Sequence, residues 1–188
     1  MATNLVKVTE QTAIVWADTT DYSSTVSGFA RTHQLDFTSI AAGTYWQGAK
    51  ADLGLSRFTD YAVHVGIEFA SAAVSGETID YYWGSSNNAT AATHNPGGMS
   101  GTDLAYSGTA GDVAADSVHQ LLFIGSLVTT SDNTTVVQYG MVGHLSGSAI
   151  LRWGMPLLLN GSTGATVADS VEQYIALVPI IPDVQAAA

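Results

Sequence analysis

Apolar residues recur along this chain mostly at every second position or in short unbroken runs, and glycine, serine, asparagine and proline residues separate the runs. This spacing is typical of β-strands, because successive side chains of a strand point to opposite faces of a sheet. Two stretches, QGAKADLG and GDVAADSVHQ, have helical character, but both are too short to support the fold. Strands are predicted in the runs LVKVTE, TAIVWAD, SGFARTHQLDF, YAVHVGIEFA, TIDYYWGS, HQLLFIGSLVTT, TTVVQYGMVGHL, ILRWGMPLLLN and EQYIALVPIIP.

The run YAVHVGIEF shows how one strand is divided between two environments. Its core face is predicted to carry Tyr61, Val63, Val65, Ile67 and Phe69, and its other face Ala62, His64, Gly66 and Glu68. Short strands at regular spacing, with long connections rich in glycine and serine, are typical of sandwiches and jelly rolls. The sequence therefore predicts an all-β fold. We expect a single-domain, jelly-roll-like β-sandwich over residues 1–188, with long loops and with N- and C-terminal arms.

One connection is unusually long. After the aromatic run TIDYYWGS, residues 87–108 are small and polar, almost uncharged, and without a strand pattern. The turn NPGG begins at Asn95, and Asp103, Tyr106 and Asp112 are suited to anchor the loop through bonds to the backbone. A loop longer than about a dozen residues is usually functional or disordered. We predict a surface arm that becomes ordered against a neighbouring protein.

Charge narrows the choice of partners. Sixteen acidic residues stand against five lysines and arginines, which gives a formal net charge of −11. A chain with so few cations neutralises few phosphates, so nucleic acid and anionic membranes are excluded as expected partners. The hydrophobic share of 46% indicates a folded protein, and the chain has no cysteine for a disulfide. The N-terminus lacks a signal-peptide pattern and no run has membrane-spanning length, so we expect synthesis and retention in the cytosol until assembly.

Motifs for catalysis are absent from the sequence: there is no G-x-S-x-G, P-loop, G-x-G-x-x-G or H-E-x-x-H pattern. Glu68 and Asp80 lie on successive predicted strands, where a pair of glycosidase carboxylates would stand, but a solvated or arginine-paired role is the simpler interpretation. We predict no enzyme, no cofactor and no metal site. The histidines are far apart in sequence, on or beside different strands and loops: His33, His64, His94, His119 and His144.

Aromatic residues allow two interpretations. In a sugar-binding protein they would stack on pyranose rings, while in a structural protein they would fill the core or an interface. The trio YYW alternates between faces, so at least one of its rings points away from the main core. We favour the interface. The residues concerned are Trp16, Tyr45, Trp46, Tyr81, Tyr82, Trp83 and Trp153.

The C-terminal half carries a resemblance. The segments LLFIGSLVTTSDNTTVVQYGMVGHL, LRWGMPLLLNGSTGA and DSVEQYIALVPIIPDVQ are similar to the end of a family of small virion proteins of tailed bacteriophages. The segment DYYWGSSNNATAATHNPGGMSGTDLAYSG resembles the aromatic strand and Asn-Pro-Gly-Gly loop of the same family. The resemblance spans most of residues 66–185 and none of its motifs is catalytic. It implies a virion component, assembled in the host cytoplasm, and comparable proteins cement or decorate capsids.

These observations favour a capsid decoration or cement protein that binds the lattice of the major capsid protein and self-associates as a trimer or dimer. Pro179 and Pro182 cannot donate ladder hydrogen bonds, so we expect the C-terminal tail at a sheet edge or outside the sheet, as a docking arm. A tail-associated receptor- or glycan-binding module is the alternative, and a polysaccharide depolymerase comes third. The predicted contact residues are Tyr82, Trp83, Asn95, Pro96, Met99, Tyr106, Trp153, Pro179, Ile180, Ile181 and Pro182.

Overall fold

A computed structural model of the protein describes residues 5–55, 57–131, 137–147 and 150–185. Within these residues the chain forms strands and only short helical turns, the latter at Ser24–Ser27, Pro96–Gly98, Ala114–Ser117 and Val118–Gln120. The strands are β1 (Leu5–Glu10), β2 (Ile14–Ala17), β3 (His33–Gln34), β4 (Tyr45–Gln47), β5 (Ala51–Asp52), β6 (Asp60–Ile67), β7 (Thr78–Ser86), β8 (Leu104–Ala105), β9 (Leu122–Val128), β10 (Gln138–Ser146), β11 (Trp153–Asn160) and β12 (Tyr174–Gln185).

The described strands form two sheets. The first sheet has the order β10-β6-β12-β2-β3, and β1 pairs with the second half of β12. The second sheet has the order β8-β4-β11-β7-β9, and β5 also pairs with β11. Buried side chains from both sheets form one continuous hydrophobic core. The predicted all-β sandwich is therefore confirmed.

Strand pairing follows a nested order along the chain. The strands β2, β4, β6 and β7 pair with β12, β11, β10 and β9 respectively, so the first of these eight pairs with the last and the innermost two pair with each other. The chain thus resembles one long antiparallel hairpin that is folded over into two sheets. The pairings of β12 with β6 and of β11 with β7 join the nested pairs side by side.

The core lies between the sheets and is filled by the predicted face of β6. Tyr61, Val63, Val65 and Ile67 are fully buried there, and Phe69 beyond the strand end is almost so. Aromatic rings connect the two sheets, because the indole of Trp16 from β2 meets that of Trp83 from β7 edge to face with the ring centroids 5.7 Å apart. This packing is the main apolar contribution to stability.

A second layer covers part of each outer face. On the first sheet, Tyr22 and Phe29 from the connection between β2 and β3 pack on Val15, Tyr174 and neighbouring small residues. On the second sheet, residues of the long connection between β7 and β9 pack on Met155 and Leu157 of β11. Among the described residues, neither covering cluster extends over the outermost strands β9 and β10, and several side chains of these two strands are exposed.

Several local predictions differ from the structure. The segment QGAKADLG, in which the sequence shows helical character, contains the end of β4 and the strand β5, which flank Pro156 of the partner strand β11. The run SGFARTHQLDF contributes only the short strand β3, because Phe29 turns back onto the outer face of the first sheet. The segment GDVAADSVHQ does contain the helical turns Ala114–Ser117 and Val118–Gln120.

The C-terminal run is a strand of the first sheet. Pro179 is buried and pairs with Tyr61 of β6, while its carbonyl accepts a hydrogen bond from the Gln11 N–H. Pro182 lies opposite Val8 of β1. Within the described chain, β12 has a neighbour on both sides only up to Pro179 and continues beyond it beside β1 alone, so Pro182 lies at a sheet edge, where a missing N–H donor is tolerated. Residues 1–4 and 186–188 of the predicted arms lie outside the described residues.

Candidate interaction surfaces

The long loop after β7 is ordered against its own sheet. Its first part is held by Lys50, whose ammonium donates to Ser86 Oγ at 3.1 Å and to the carbonyl oxygens of Asn88, Thr90 and Thr93 at 3.1, 2.8 and 3.1 Å. Burial lowers the pKa of Lys50, which shows that the ammonium is partly withdrawn from water. One cation thereby satisfies several oxygens of a turn that contains no regular secondary structure.

Further along the same loop, the predicted contact residues are used internally. Met99 and Tyr106 are buried on the outer face of the second sheet, and the Tyr106 hydroxyl donates to the Gly97 carbonyl at 2.5 Å. Asn95 donates to the carbonyls of Ala91 and Met99 at 2.6 and 2.7 Å and so closes the loop on itself. The loop does not require a neighbouring protein in order to be packed, which corrects the interpretation of residues 87–108 as an arm.

The predicted contact residues on β7 and β11 lie in different surroundings. Trp83 is 1% exposed and belongs to the core, so its side chain is not available to a partner. Tyr82 faces the opposite side and meets Phe123 of β9 edge to face, with the ring centroids 5.3 Å apart. Trp153 is half-buried under the guanidinium of Arg152, which lies 5.0 Å from the ring centroid. Of these three aromatic residues, Tyr82 and Trp153 keep partial access to solvent.

Exposed apolar side chains gather on the two uncovered strands β9 and β10. Phe123 is 51% exposed, Tyr139 72% and Met141 54%, and Leu122 and Val128 are exposed as well. We call these five residues the side strip. Large exposed apolar patches on a soluble protein mark interaction sites more often than single exposed residues do.

Two glycines explain why β9 and β10 approach each other at this side. A Cβ atom on Gly125 would lie 2.0 Å from the Val142 carbonyl oxygen, and a Cβ on Gly143 would lie 2.4 Å from that of Ile124. The two backbones therefore touch where β9 of the second sheet passes β10 of the first. Both strands are the outermost of their sheets at this side of the sandwich.

A second surface is formed by the chain ends. Beyond Pro179, the second half of β12 pairs with β1 in register from Glu10 opposite Ile180 to Leu5 opposite Gln185. In the described part of the chain no other strand pairs with either member of this ribbon. Ile180 and Ile181 are half-buried. We call Leu5–Glu10 together with residues 180–185 the terminal ribbon.

The residues weighed for chemistry do not converge. Asp80 belongs to the second sheet and accepts a hydrogen bond from Ser126 at 2.6 Å, whereas Glu68 follows β6 of the first sheet and is bonded to Ser170. Across the residues that the structure describes, no group of three or more His, Asp or Glu side chains is placed to hold a metal ion. Within the same residues, none of the helical segments has the length and hydropathy needed to cross a membrane.

The side strip is only partly visible in the sequence: in the run TTVVQYGMVGHL, apolar residues on both faces, with Tyr139 and Met141 on one of them, indicate a sandwich or an oligomer contact. Phe123, Val128 and Tyr139 lie in runs that were assigned correctly as strands, but apolar residues occupy both faces of those runs. Apolar residues on both faces of a strand predict that each face is at least partly buried. They do not show which of the two faces stays exposed to solvent. The covering segments that decide this come from distant parts of the chain.

Comparison with known proteins adds no relative. No protein-family model matches the chain, and neither the curated proteins nor the solved structures contain a significant match.

Proposed function

We propose that this protein is a structural component of a bacteriophage virion, a capsid decoration protein that binds the lattice of the major capsid protein. The observation that carries the proposal is the terminal ribbon. It presents strand edges without a partner in the described chain, and such edges take up a strand from another protein through main-chain hydrogen bonds.

The order of the strands supports the same proposal. Nested pairing of β2 with β12, β4 with β11, β6 with β10 and β7 with β9 supports the expected jelly-roll-like arrangement, in which two Greek keys wrap around one core. Jelly rolls occur in viral capsid domains, lectins and cupins, so the fold by itself does not select one function. The resemblance of the C-terminal half to small virion proteins favours the first of these.

Energetics also favour a partner for the ribbon. An isolated two-stranded ribbon is marginally stable in water, because each strand has only one neighbour and little apolar surface is covered. Within the described chain, the strand β6 lies beside β12 only as far as Pro179, so it does not reach the ribbon. Addition of a strand from a capsid subunit would complete the hydrogen bonding of the ribbon and cover Ile180 and Ile181.

The side strip suits self-association. Its exposed residues, with Phe123 and Tyr139 at its two ends, supply the aromatic and methionine side chains that are enriched in interface centres. We propose that this strip forms the contact of the predicted dimer or trimer.

Phe123→Lys should lower the molar mass measured by analytical ultracentrifugation to that of a monomer. Leu55→Lys, at another exposed leucine, is the matched control and should not change the mass.

The first experiment on the proposed function is the copy number of this protein in purified particles, measured by quantitative mass spectrometry against the major capsid protein. A number near parity, or a simple fraction set by the lattice, supports decoration. A handful of copies that matches tail symmetry would instead support the receptor- or glycan-binding alternative. Absence from particles would overturn both virion roles.

Attachment through the ribbon is tested with two variants. A chain without residues 1–10 and the variant Ile181→Lys should both lose binding to particles that lack this protein, while circular dichroism shows an intact sandwich. Val113→Lys, an exposed residue on the far loop, should bind as the natural sequence does. If the two ribbon variants bind normally, attachment uses another surface.

A further inference from the structure

A small cleft lies on the outer face of the first sheet, at the edge of its covering segment. It has a volume of about 180 Å³ and is lined by Ser27, Val137, Tyr139, Glu172 and Tyr174. This volume suits one small chemical group, since sites for larger ligands measure several hundred Å³. Of its lining residues, only Tyr139 also belongs to the side strip.

Glycine occupies the middle of the three-residue row that carries the two tyrosines of the cleft. Tyr139 of β10 pairs with Gly66 of β6, and Gly66 also pairs with Tyr174 of β12, so the two tyrosines share one face with a gap between them. A Cβ on Gly66 would lie 2.6 Å from Cε1 of Tyr174, which shows how far that ring leans into the gap. The two rings thus form the walls of the cleft.

The walls differ in rigidity. Tyr174 is buried and packed by Phe29 and Tyr22, with ring centroids 5.7 and 6.4 Å away. The Tyr22 hydroxyl in turn donates to the Phe29 carbonyl at 2.6 Å, which fixes the covering segment beside the cleft. Tyr139 has no such packing and stands 72% exposed. One aromatic wall is therefore preformed and the other is free to close on a ligand.

The charge of the cleft has one sign. Among the described residues that line it, Glu172 carries the only carboxylate, and none is a lysine or an arginine. Among the described residues, the carboxylate of Glu172 takes part in no ion pair and no side-chain hydrogen bond. The whole chain carries a formal charge of −11, so the surrounding field also attracts cations.

We propose that this cleft binds an organic cation, either a small quaternary ammonium compound or the end of a basic side chain from a partner. Aromatic faces attract such cations through the ring quadrupole, and the carboxylate of Glu172 supplies the compensating charge. An apolar surface on the cation, such as N-methyl groups, would pack on Tyr139 and Tyr174. The proposal does not depend on whether the protein belongs to a virion.

The test uses the full chain and choline at constant ionic strength, with binding followed by proton NMR. Choline N-methyl protons held between two tyrosine rings should move upfield in a saturable manner. The neutral isostere 3,3-dimethyl-1-butanol has the same shape without the charge, and we expect it to bind at least ten times more weakly. The proposal would be overturned if choline and this alcohol bound equally well. It would also be overturned if neither choline nor Nα-acetyl-arginine amide showed saturable binding.

Variants connect the signal to the cleft. Tyr139→Ala and Glu172→Gln should each weaken choline binding about three- to tenfold, as expected for a cation beside an aromatic ring and a carboxylate. Met141→Ala, at an exposed residue on the same strand outside the cleft, should bind choline normally. Variants of Tyr139 and Glu172 that bind as well as the natural sequence would overturn the proposal.

Two further probes separate the sources of the cation. Nα-acetyl-arginine amide represents a basic side chain of a partner protein, and tighter binding of this compound than of choline would identify that source. Tighter binding of choline would identify a free quaternary ammonium ligand. Glucose is the neutral competitor, and displacement of choline by glucose at similar concentration would overturn the cation proposal in favour of a sugar platform.

Discussion

Single side chains hold the irregular parts of this protein in place, and Lys50 is the most connected of them. Its ammonium bonds to four oxygens between Ser86 and Thr93, so that a stretch without secondary structure acquires a fixed course at its start. A long flexible side chain loses considerable entropy when it is fixed in this way. The bonds to partly desolvated oxygens must exceed that loss.

Lys50→Met removes the cation and its four hydrogen bonds, and although Ser86 Oγ also donates toward the carbonyls of Asn88 and Thr93, one hydroxyl cannot replace the ammonium at all of these oxygens. We expect the free energy of unfolding to fall by about 1–3 kcal/mol, the cost of leaving polar groups unsatisfied. Urea unfolding followed by tryptophan fluorescence measures this change. Arg152→Met is the control: it breaks the ion pair with Asp52 at the surface, which is worth at most about 1 kcal/mol. Equal losses for both variants would contradict a special role of Lys50.

Glycine at position 154 is required by the close approach of an indole ring. A Cβ there would lie 2.1 Å from Cζ2 of Trp83. Gly154→Ala should therefore cost about 1–3 kcal/mol through overpacking. Gly140→Ala is the matched variant, because open space surrounds that position in β10, and stability should change little. Thermal unfolding of the two variants checks the contrast, and a stable Gly154→Ala protein would show that Trp83 can move aside.

At the scale of elements, the connection between β7 and β9 acts as a cover over the second sheet. Met99 fits over Gly84, since a Cβ on that glycine would lie 2.3 Å from the Met99 sulfur. The neighbouring contacts of Tyr106 and Leu121 belong to the same cluster. The loop is thus a packed layer over its own sheet.

Met99→Ala should open this layer. We expect a loss of about 2–5 kcal/mol, the usual cost of truncating a buried methionine, and faster cleavage by thermolysin within residues 87–121. Val113→Ala changes an exposed residue of the same loop and should leave both properties unchanged. If thermolysin cuts the loop of the natural protein as fast as that of Met99→Ala, the loop is not a packed cover.

For the whole molecule, the excess of acidic residues creates repulsion between carboxylates, and protonation at low pH relieves it. A hydrogen bond to the Asp169 side chain, together with nearby negative charge from Asp169, Asp18 and Asp36, raises the pKa of Asp21. A pKa that is raised on folding stabilises the protein below the unfolded pKa, and the contribution disappears as pH rises through the folded pKa. At neutral pH this pair of carboxylates therefore repels.

Asp21→Asn should raise the unfolding midpoint slightly at pH 7, because it removes one of two repelling charges. The gain should vanish, or turn into a small loss, at a pH below the ordinary pKa of aspartate. Asp116→Asn makes the same change of charge on an exposed helical turn and serves as the control. Calorimetry at both pH values measures the effect, and a gain of equal size in the two variants would trace it to net charge alone.

The fold class followed from the pattern of apolar residues in particular runs. LVKVTE and the core face of YAVHVGIEF were assigned correctly because burial on one face of a strand imposes a period of two. The short strands β4, β5 and β8 were not assigned, since two or three residues are too few to show a period. Such short strands form because neighbouring strands pair with them, and their own residues carry no recognisable pattern.

The candidate surfaces were predicted less well than the strands. Trp83, Met99 and Tyr106 were expected at an interface and are buried in the chain, because an aromatic or methionine side chain suits both environments equally. Tyr139 and Glu172 were not predicted to lie together. Their proximity depends on β10 and β12 lying on either side of β6, a relation that joins residues far apart in sequence.

The sequence by itself determined that this protein is built of strands, that residues 61–69 turn one face to a core, and that its surface is acidic, since local period and composition carry that information. Only the tertiary structure decided that the long loop covers its own sheet, that the C-terminal run pairs with β1, and that two tyrosines enclose a cleft beside Glu172. These features follow from nested pairing between distant strands, and which strands become neighbours depends on the packing of the whole chain.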